Sequence, residues 1–188
     1  MTMNLEDLGG ESAEPIGGLA TKVWYAKKSD FAVIVDTKKM EDEDPDNVAA
    51  SFEQLMEIEA NHEFKTTKCF KTIDFVQETG EVKTKSIGTK RNKLFENEVT
   101  IEVAGSKSQN LGFMRAIKND DLIVLVEEVG TGNIRQLGWS KYGASAENLE
   151  HEIAAALEGK NSAKITFKDK NLGPASIYKG EIQVVPAP

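Results

Sequence analysis

Leu94-Phe95-Glu96-Asn97-Glu98-Val99-Thr100-Ile101-Glu102-Val103 is the stretch that decides the fold. In an extended segment, Phe95, Asn97, Val99, Ile101 and Val103 fall on one face, and Glu96, Glu98, Thr100 and Glu102 fall on the other. One buried face and one wet face is the pattern of an antiparallel sheet. Upstream, Lys68–Val76 and Val82–Ile87 also read as strands. Gln77-Glu78-Thr79-Gly80-Glu81 separates them, and its length and glycine suit a hairpin loop. Downstream, Gln109–Lys118 reads as a short helix with Leu111, Met114 and Ile117 three apart. Leu122-Ile123-Val124-Leu125-Val126 reads as a buried strand, which Gly130-Thr131-Gly132-Asn133 turns into Ile134–Leu137.

Toward the N-terminus, Lys22–Ala26 and Phe31–Val35 are strands by their aromatic and β-branched content. Lys38–Asn47 is a charged loop, and Val48–Glu53 is expected to make a short helical turn that passes into a strand. Toward the C-terminus, Ala146–Leu157 reads as a helix, with Leu149, Ile153 and Leu157 four apart, Ser145 as cap and Gly159 after the end. Ala163–Phe167 and Ile177–Val185 read as closing strands. The expectation is a mainly β (α+β) chain, a β-sandwich or barrel of about eight to nine short strands with one or two flanking helices. Residues 1–18, with Gly9-Gly10, Pro15 and Gly17-Gly18, read as a flexible N-terminal arm. Residues 19–188 read as a single β-rich domain.

The 188 residues are 39% hydrophobic and 29% charged, with a net charge of −8. That is chain enough for a core without disulfides or a structural metal. No run of about 18 apolar residues exists, so no membrane-spanning helix is expected. The first residues lack the basic and apolar regions of a secretory signal. Charge is unevenly spread. Residues 1–63 carry 15 acids and 5 bases, residues 64–93 carry 3 and 8, and residues 94–188 carry 13 and 10. A basic middle within an acidic chain complements a second copy of itself. The plainer reading is a lysine-rich hairpin guarding an exposed sheet edge.

Motifs for chemistry are sparse. The run Glu41–Asp46 lacks the ligand spacing and central glycine of a calcium loop and reads as a solvated acidic loop. His62 and Cys69 supply at most two metal ligands, too few for zinc. Gly130-Thr131-Gly132-Asn133 is followed by Arg135 and a strand, which rules out a dinucleotide fingerprint. No nucleophile elbow or P-loop is present. The basic cluster has no interleaved aromatics of the kind that stack on single-stranded nucleic acid. The chain is therefore read as a non-enzyme with no cofactor and no metal.

Three groups of residues resemble phage tail tube proteins. The first is Gly17-Gly18-Leu19 leading into Val23-Trp24-Tyr25-Ala26 and Ser29-Asp30-Phe31. The second is Gly112-Phe113, Asn119, Leu122–Val126, Gly132-Asn133, Arg135 and Leu137-Gly138. The third is Pro174-Ala175, Tyr178, Gly180 and Ile182. Their order and spacing cover most of the chain. The resemblance implies a β-sandwich or barrel assembling into hexameric rings that stack head to tail into a tube, as in the inner tubes of contractile injection systems. Its implied partners are further copies of itself, other tail proteins such as tape measure, sheath or terminator, and genomic DNA passing through the lumen without specific binding. The implied location is the virion tail, after production in the host bacterial cytoplasm. The helical reading of Ala146–Leu157 departs from the family pattern, which expects a strand or loop there.

Head-to-tail stacking needs two different complementary surfaces. The segregated charges nominate Lys83, Lys85, Lys90, Arg91 and Lys93 of one ring against Asp42, Glu43 and Asp44 of the next. An acidic lumen would repel the DNA backbone and let it slide. The alternative is a monomeric β-sandwich binding or adaptor module. A third reading, a small acidic enzyme, would require two carboxylates in a pocket with a perturbed pKa.

Overall fold

The computed structural model describes residues 16–186. Most of the expected arm, residues 1–15, lies outside the described residues. The strands in chain order are β1 (Leu19–Lys27), β2 (Phe31–Val33), β3 (Glu57–Ile58), β4 (Glu63–Phe64), β5 (Lys71–Asp74) and β6 (Glu81–Thr89). There follow β7 (Asn92–Ala104), β8 (Leu122–Glu128), β9 (Ile134–Leu137), β10 (Ser145–Ile153), β11 (Asn161–Asn171) and β12 (Ser176–Tyr178). Among the described residues there is one α-helix, α1 (Ser108–Ile117), which joins β7 to β8. The protein is mainly β.

The strands form a six-stranded sheet in the order β3-β12-β9-β8-β1-β5 and a four-stranded sheet in the order β10-β11-β7-β6. A two-stranded ribbon pairs β2 with β4. All pairings are antiparallel except β3 with β12. The two large sheets face each other. Val23 of β1 and Leu122, Val124 and Val126 of β8 meet Val99 and Ile101 of β7 and Ile165 and Phe167 of β11. On the other face of the six-stranded sheet, Ile123 and Leu125 pack with Ala26, Phe31, Phe70 and Tyr178. This explains the unbroken apolar run of β8. Both of its faces are covered, so Leu122 to Val126 are all fully buried.

The structure is a sandwich; neither sheet closes into a barrel. Among the described residues twelve strands replace the eight or nine expected, because β4 is two residues long and leaves too little periodicity to read and β10 lies where a helix was expected. The closing strand expected over Ile177–Val185 is confined to Ser176–Tyr178. The helical turn expected at Val48–Glu53 falls at residues 52–56, just before β3. Gln77–Glu81 is not a hairpin loop. β5 belongs to the six-stranded sheet and β6 to the four-stranded one, so this segment crosses between sheets. The helix expected over Ala146–Leu157 is also overturned, since Ser145–Ile153 is strand β10. A spacing of four, as from Leu149 to Ile153, fits a helical face and equally a strand face of period two. Pairing with β11 decides in favour of the strand, while Leu157 stands fully exposed in the turn that follows.

Gly138 ends β9 with φ +85°, and a Cβ there would stand 2.5 Å from the Leu122 carbonyl oxygen. Only glycine fits this close approach without displacing β8. Next to it a polar chain, buried at Asn97 and Asp169, ties the two sheets together. Thr84 Oγ1 donates to Asn97 Oδ1 (2.7 Å), Asn97 Nδ2 donates to Asp169 Oδ1 (2.9 Å), and Gly138 N–H donates to Asp169 Oδ2 (2.7 Å). Asn97, grouped by its alternation with the apolar face, is fully buried and satisfied in this way. Burial pushes the Asp169 carboxyl above its usual range against the pull of these donors.

Candidate functional site

The wet face of the four-stranded sheet carries a regular arrangement of charge. Because side chains alternate along each strand, one row per strand points away from the core. On β6 that row includes Lys83 and Lys85, and on β7 it includes Glu96, Glu98 and Glu102. The register sets Lys85 opposite Glu96 and Lys83 opposite Glu98. On β11 the row holds Lys164, Lys168 and Lys170, opposite Glu102, Glu98 and Glu96. On β10 it holds Glu150 and Glu152, opposite Lys164 and Ser162. The charge therefore runs basic, acidic, basic, acidic from β6 to β10.

Ion pairs stitch the middle of this face. Lys85 Nζ lies 2.7 Å from Glu96, Lys168 Nζ 3.0 Å from Glu98, and Lys160 Nζ 3.1 Å from Glu102. The hydrogen bond from Lys85 holds the Glu96 carboxyl below its usual range. Ser162 and Lys160 do the same for Glu102. Glu98 holds the Lys168 ammonium above its usual value. Exposed pairs of this kind are each worth about 0.2–1 kcal/mol. Their consequence lies in the pattern. Glu150 and Glu152, at the β10 edge, make no ion pair among the described residues and are exposed.

Among the described residues, both edges of this sheet are nine-residue strands, β6 and β10, with no further strand beside them. The six-stranded sheet ends instead in β3 and β5, of two and four residues. Short edges are blunted against pairing with another chain, and long ones present a row of free backbone donors and acceptors.

The residues nominated from sequence separate into three places. Lys83 and Lys85 belong to the wet face, where Lys83 also pairs with Glu81 at 2.7 Å. Lys90 and Arg91 form the two-residue turn of the β6–β7 hairpin, with Arg91 at φ +72°. Lys93 lies beside a groove. In the acidic loop, Asp42 pairs with Lys39, and the Asp44 side chain accepts from the Asp46 N–H at the start of a 3-10 turn over Pro45–Asn47. Glu43 is exposed. Lys93 and Glu41 line the same groove, so the base of the basic hairpin and the acidic loop are neighbours within one copy. Sequence reasoning missed Glu147, Glu150 and Glu152, because glutamates within an apparent helix read as a solvated helical face. The alternation of Glu150 and Glu152 with Leu149, His151 and Ile153 was the signal for an edge strand.

The groove has a volume of about 560 Å³ and is lined by Met40, Met56, Phe95, Trp139, Leu172 and Pro174, among others. On the ribbon side of the six-stranded sheet, His62 is buried. Its Nδ1 accepts from the Val35 N–H (3.1 Å), its Nε2 lies 2.8 Å from Gln136 Oε1, and its ring stacks on Tyr178. Those partners assign it as a neutral imidazole donating from Nε2, and burial lowers its pKa. Cys69 is buried and unpaired. Among the described residues no three His, Cys, Asp or Glu side chains cluster to hold a metal ion, and no helix is long and apolar enough to cross a membrane. No family model matches the chain, and no curated protein or solved structure matches it.

Proposed function

We propose that this chain is a structural subunit of a phage-like tail tube, self-assembling into hexameric rings that stack into a conduit for DNA. The observation that carries the reading is a two-layer β-sandwich whose four-stranded sheet is open at both long edges and charged on its outer face. The tail-tube resemblance of Gly17–Phe31, Gly112–Gly138 and Pro174–Ile182 supports it. Stacking is assigned to Lys90 and Arg91, with Lys93 beside them, meeting the Asp42-Glu43-Asp44 loop of the next ring. Tape measure, sheath and terminator proteins are the further partners of this reading, and the virion tail is its location. It involves association alone, with no covalent chemistry and no cofactor.

Negative-stain imaging and sedimentation across a concentration series test it. Rings or tubes that grow with concentration are the expected result. A single monomer boundary at every concentration overturns the reading. A monomeric binding or adaptor module is the second reading, and the apolar groove around Trp139 and Phe95 is the observation that favours it.

A further inference from the structure

We propose that His62 is an acid-sensitive latch on the apolar groove: once protonated, its ring takes the Asp36 carboxylate away from Ser140 and frees the segment that carries Trp139. The inference concerns a single copy and stands apart from the assembly reading above.

Three segments build the latch. Asp36, half-buried in the stretch after β2, accepts from the Ser140 N–H at Oδ1 (2.9 Å) and from the Ser140 hydroxyl at Oδ2. Hydrogen bonds to a carboxylate are the strong ones, so this is a firm clasp. Asp36 and Trp139, the residue before Ser140, both line the groove. Among the described residues, one other side-chain hydrogen bond fastens residues 139–143 to the rest of the fold. It runs from Trp139 Nε1 to the Lys170 carbonyl oxygen (2.9 Å). Loss of the Asp36 clasp therefore leaves this wall of the groove tied on one side only.

His62 stands beside the clasp. Its Nδ1 accepts from the N–H of Val35, the residue before Asp36, while its Nε2 donates to Gln136. Only the neutral ring can fill both roles. A proton on Nδ1 turns an acceptor into a donor, expels the Val35 N–H and requires an acceptor in its place. Around the ring, β9 presents the neutral Gln136 amide, β2 the edge of the Phe31 ring, and β12 the stacked Tyr178 ring. The Tyr178 hydroxyl accepts from the His62 N–H, donates to the Glu181 carbonyl oxygen and feels the Glu181 charge. The segment after β2 presents Asp36, whose charge favours the protonated imidazole against the burial that opposes it. Ser140 is half-exposed and can turn to water when it loses the carboxylate. A buried imidazolium has no such alternative, because an unpaired buried charge is costly.

An NMR titration of the whole chain from about pH 7.5 to 5 tests the latch. The Ser140 amide and the Trp139 indole N–H are expected to shift with the same midpoint as the His62 ring. Two variants separate competition from proximity. Asp36→Asn keeps an oxygen for the Ser140 N–H and removes the charge, so it should lower the His62 midpoint by about one unit and hold the Ser140 amide still. Ser140→Ala removes the competing hydroxyl and should raise that midpoint. Should the chain assemble at NMR concentrations, Trp139 emission in a Trp24→Phe background reads the same transition in dilute solution. Should a variant fail to fold, the parent titration decides alone. A Ser140 amide and Trp139 signal that stay flat while His62 titrates overturn the latch. So does a folded Asp36→Asn or Ser140→Ala variant whose His62 midpoint is unmoved. Cooperative unfolding of the parent at the His62 midpoint also overturns it, since the proton would then act on the whole layer.

Discussion

The two large sheets differ in how they are covered, and β8 and β7 show the difference most plainly. β8 lies inside the six-stranded sheet with Leu122, Val124 and Val126 against one layer and Ile123 and Leu125 against another. β7 has Val99 and Ile101 against the core and Glu96, Glu98 and Glu102 in water. The first sheet is covered on both faces and finished at its edges by very short strands. The second is half-covered and unfinished. Buried contacts and exposed charge thus lie on opposite faces of the second sheet, so that surface charges can be rearranged without touching the core.

The largest expected effect is a break on the stability side. Leu125→Ala removes a fully buried side chain from the far face of β8 and is expected to cost about 2–5 kcal/mol in denaturant unfolding. A loss below about 1 kcal/mol would mean that this layer is not close-packed.

His62 gives a smaller, pH-dependent effect in the same layer. Its pKa is lowered by burial, so between its unfolded value near 6.5 and the lower folded value the unfolded chain binds the extra proton. The protein is therefore expected to lose stability as pH falls from about 6.5, since a proton on Nδ1 would confront the Val35 N–H. Urea midpoints measured from pH 7.5 downward read this directly. His62→Gln should flatten the upper part of that profile, and an unchanged slope would assign it to other groups.

The smallest effect is on the wet face. Lys168→Ala should change stability by no more than about 0.5–1 kcal/mol, the ceiling for an exposed pair, and less in high salt. A salt-independent loss larger than that would show that the outer face shares in the folding core and would dissolve the division between layers.

How far the sequence reveals this division depends on which rule each segment obeys. β7 and β8 are legible because burial on one face or two leaves alternation or an unbroken apolar run. α1 is legible from Leu111, Met114 and Ile117, and it forms one residue from its expected start. β10 is not, because glutamate and alanine favour helices and a four-residue spacing fits both periods; only its pairing with β11 decides. The crossing from β5 to β6 is hidden for another reason. Gly80 and a five-residue gap describe a tight turn equally well whether the flanking strands pair or part. The basic half of the candidate surface is legible as Lys83 and Lys85. The acidic half escapes notice because Asp42, Glu43 and Asp44 are contiguous and conspicuous, whereas Glu150 and Glu152 are interleaved with apolar neighbours.

The two-residue turn at Lys90-Arg91 has a consequence in time. It joins β6 to β7 as neighbours in the chain, and hairpins of that kind close in about 1–10 microseconds. β3 must instead wait for β12, which brings Glu57 to Ile177 from the far end of the chain, and long-range pairing of that sort is slow. β10 becomes an edge only once β11 has docked on β7. A chain emerging from the ribosome would thus display its lysine edge well before its glutamate edge exists.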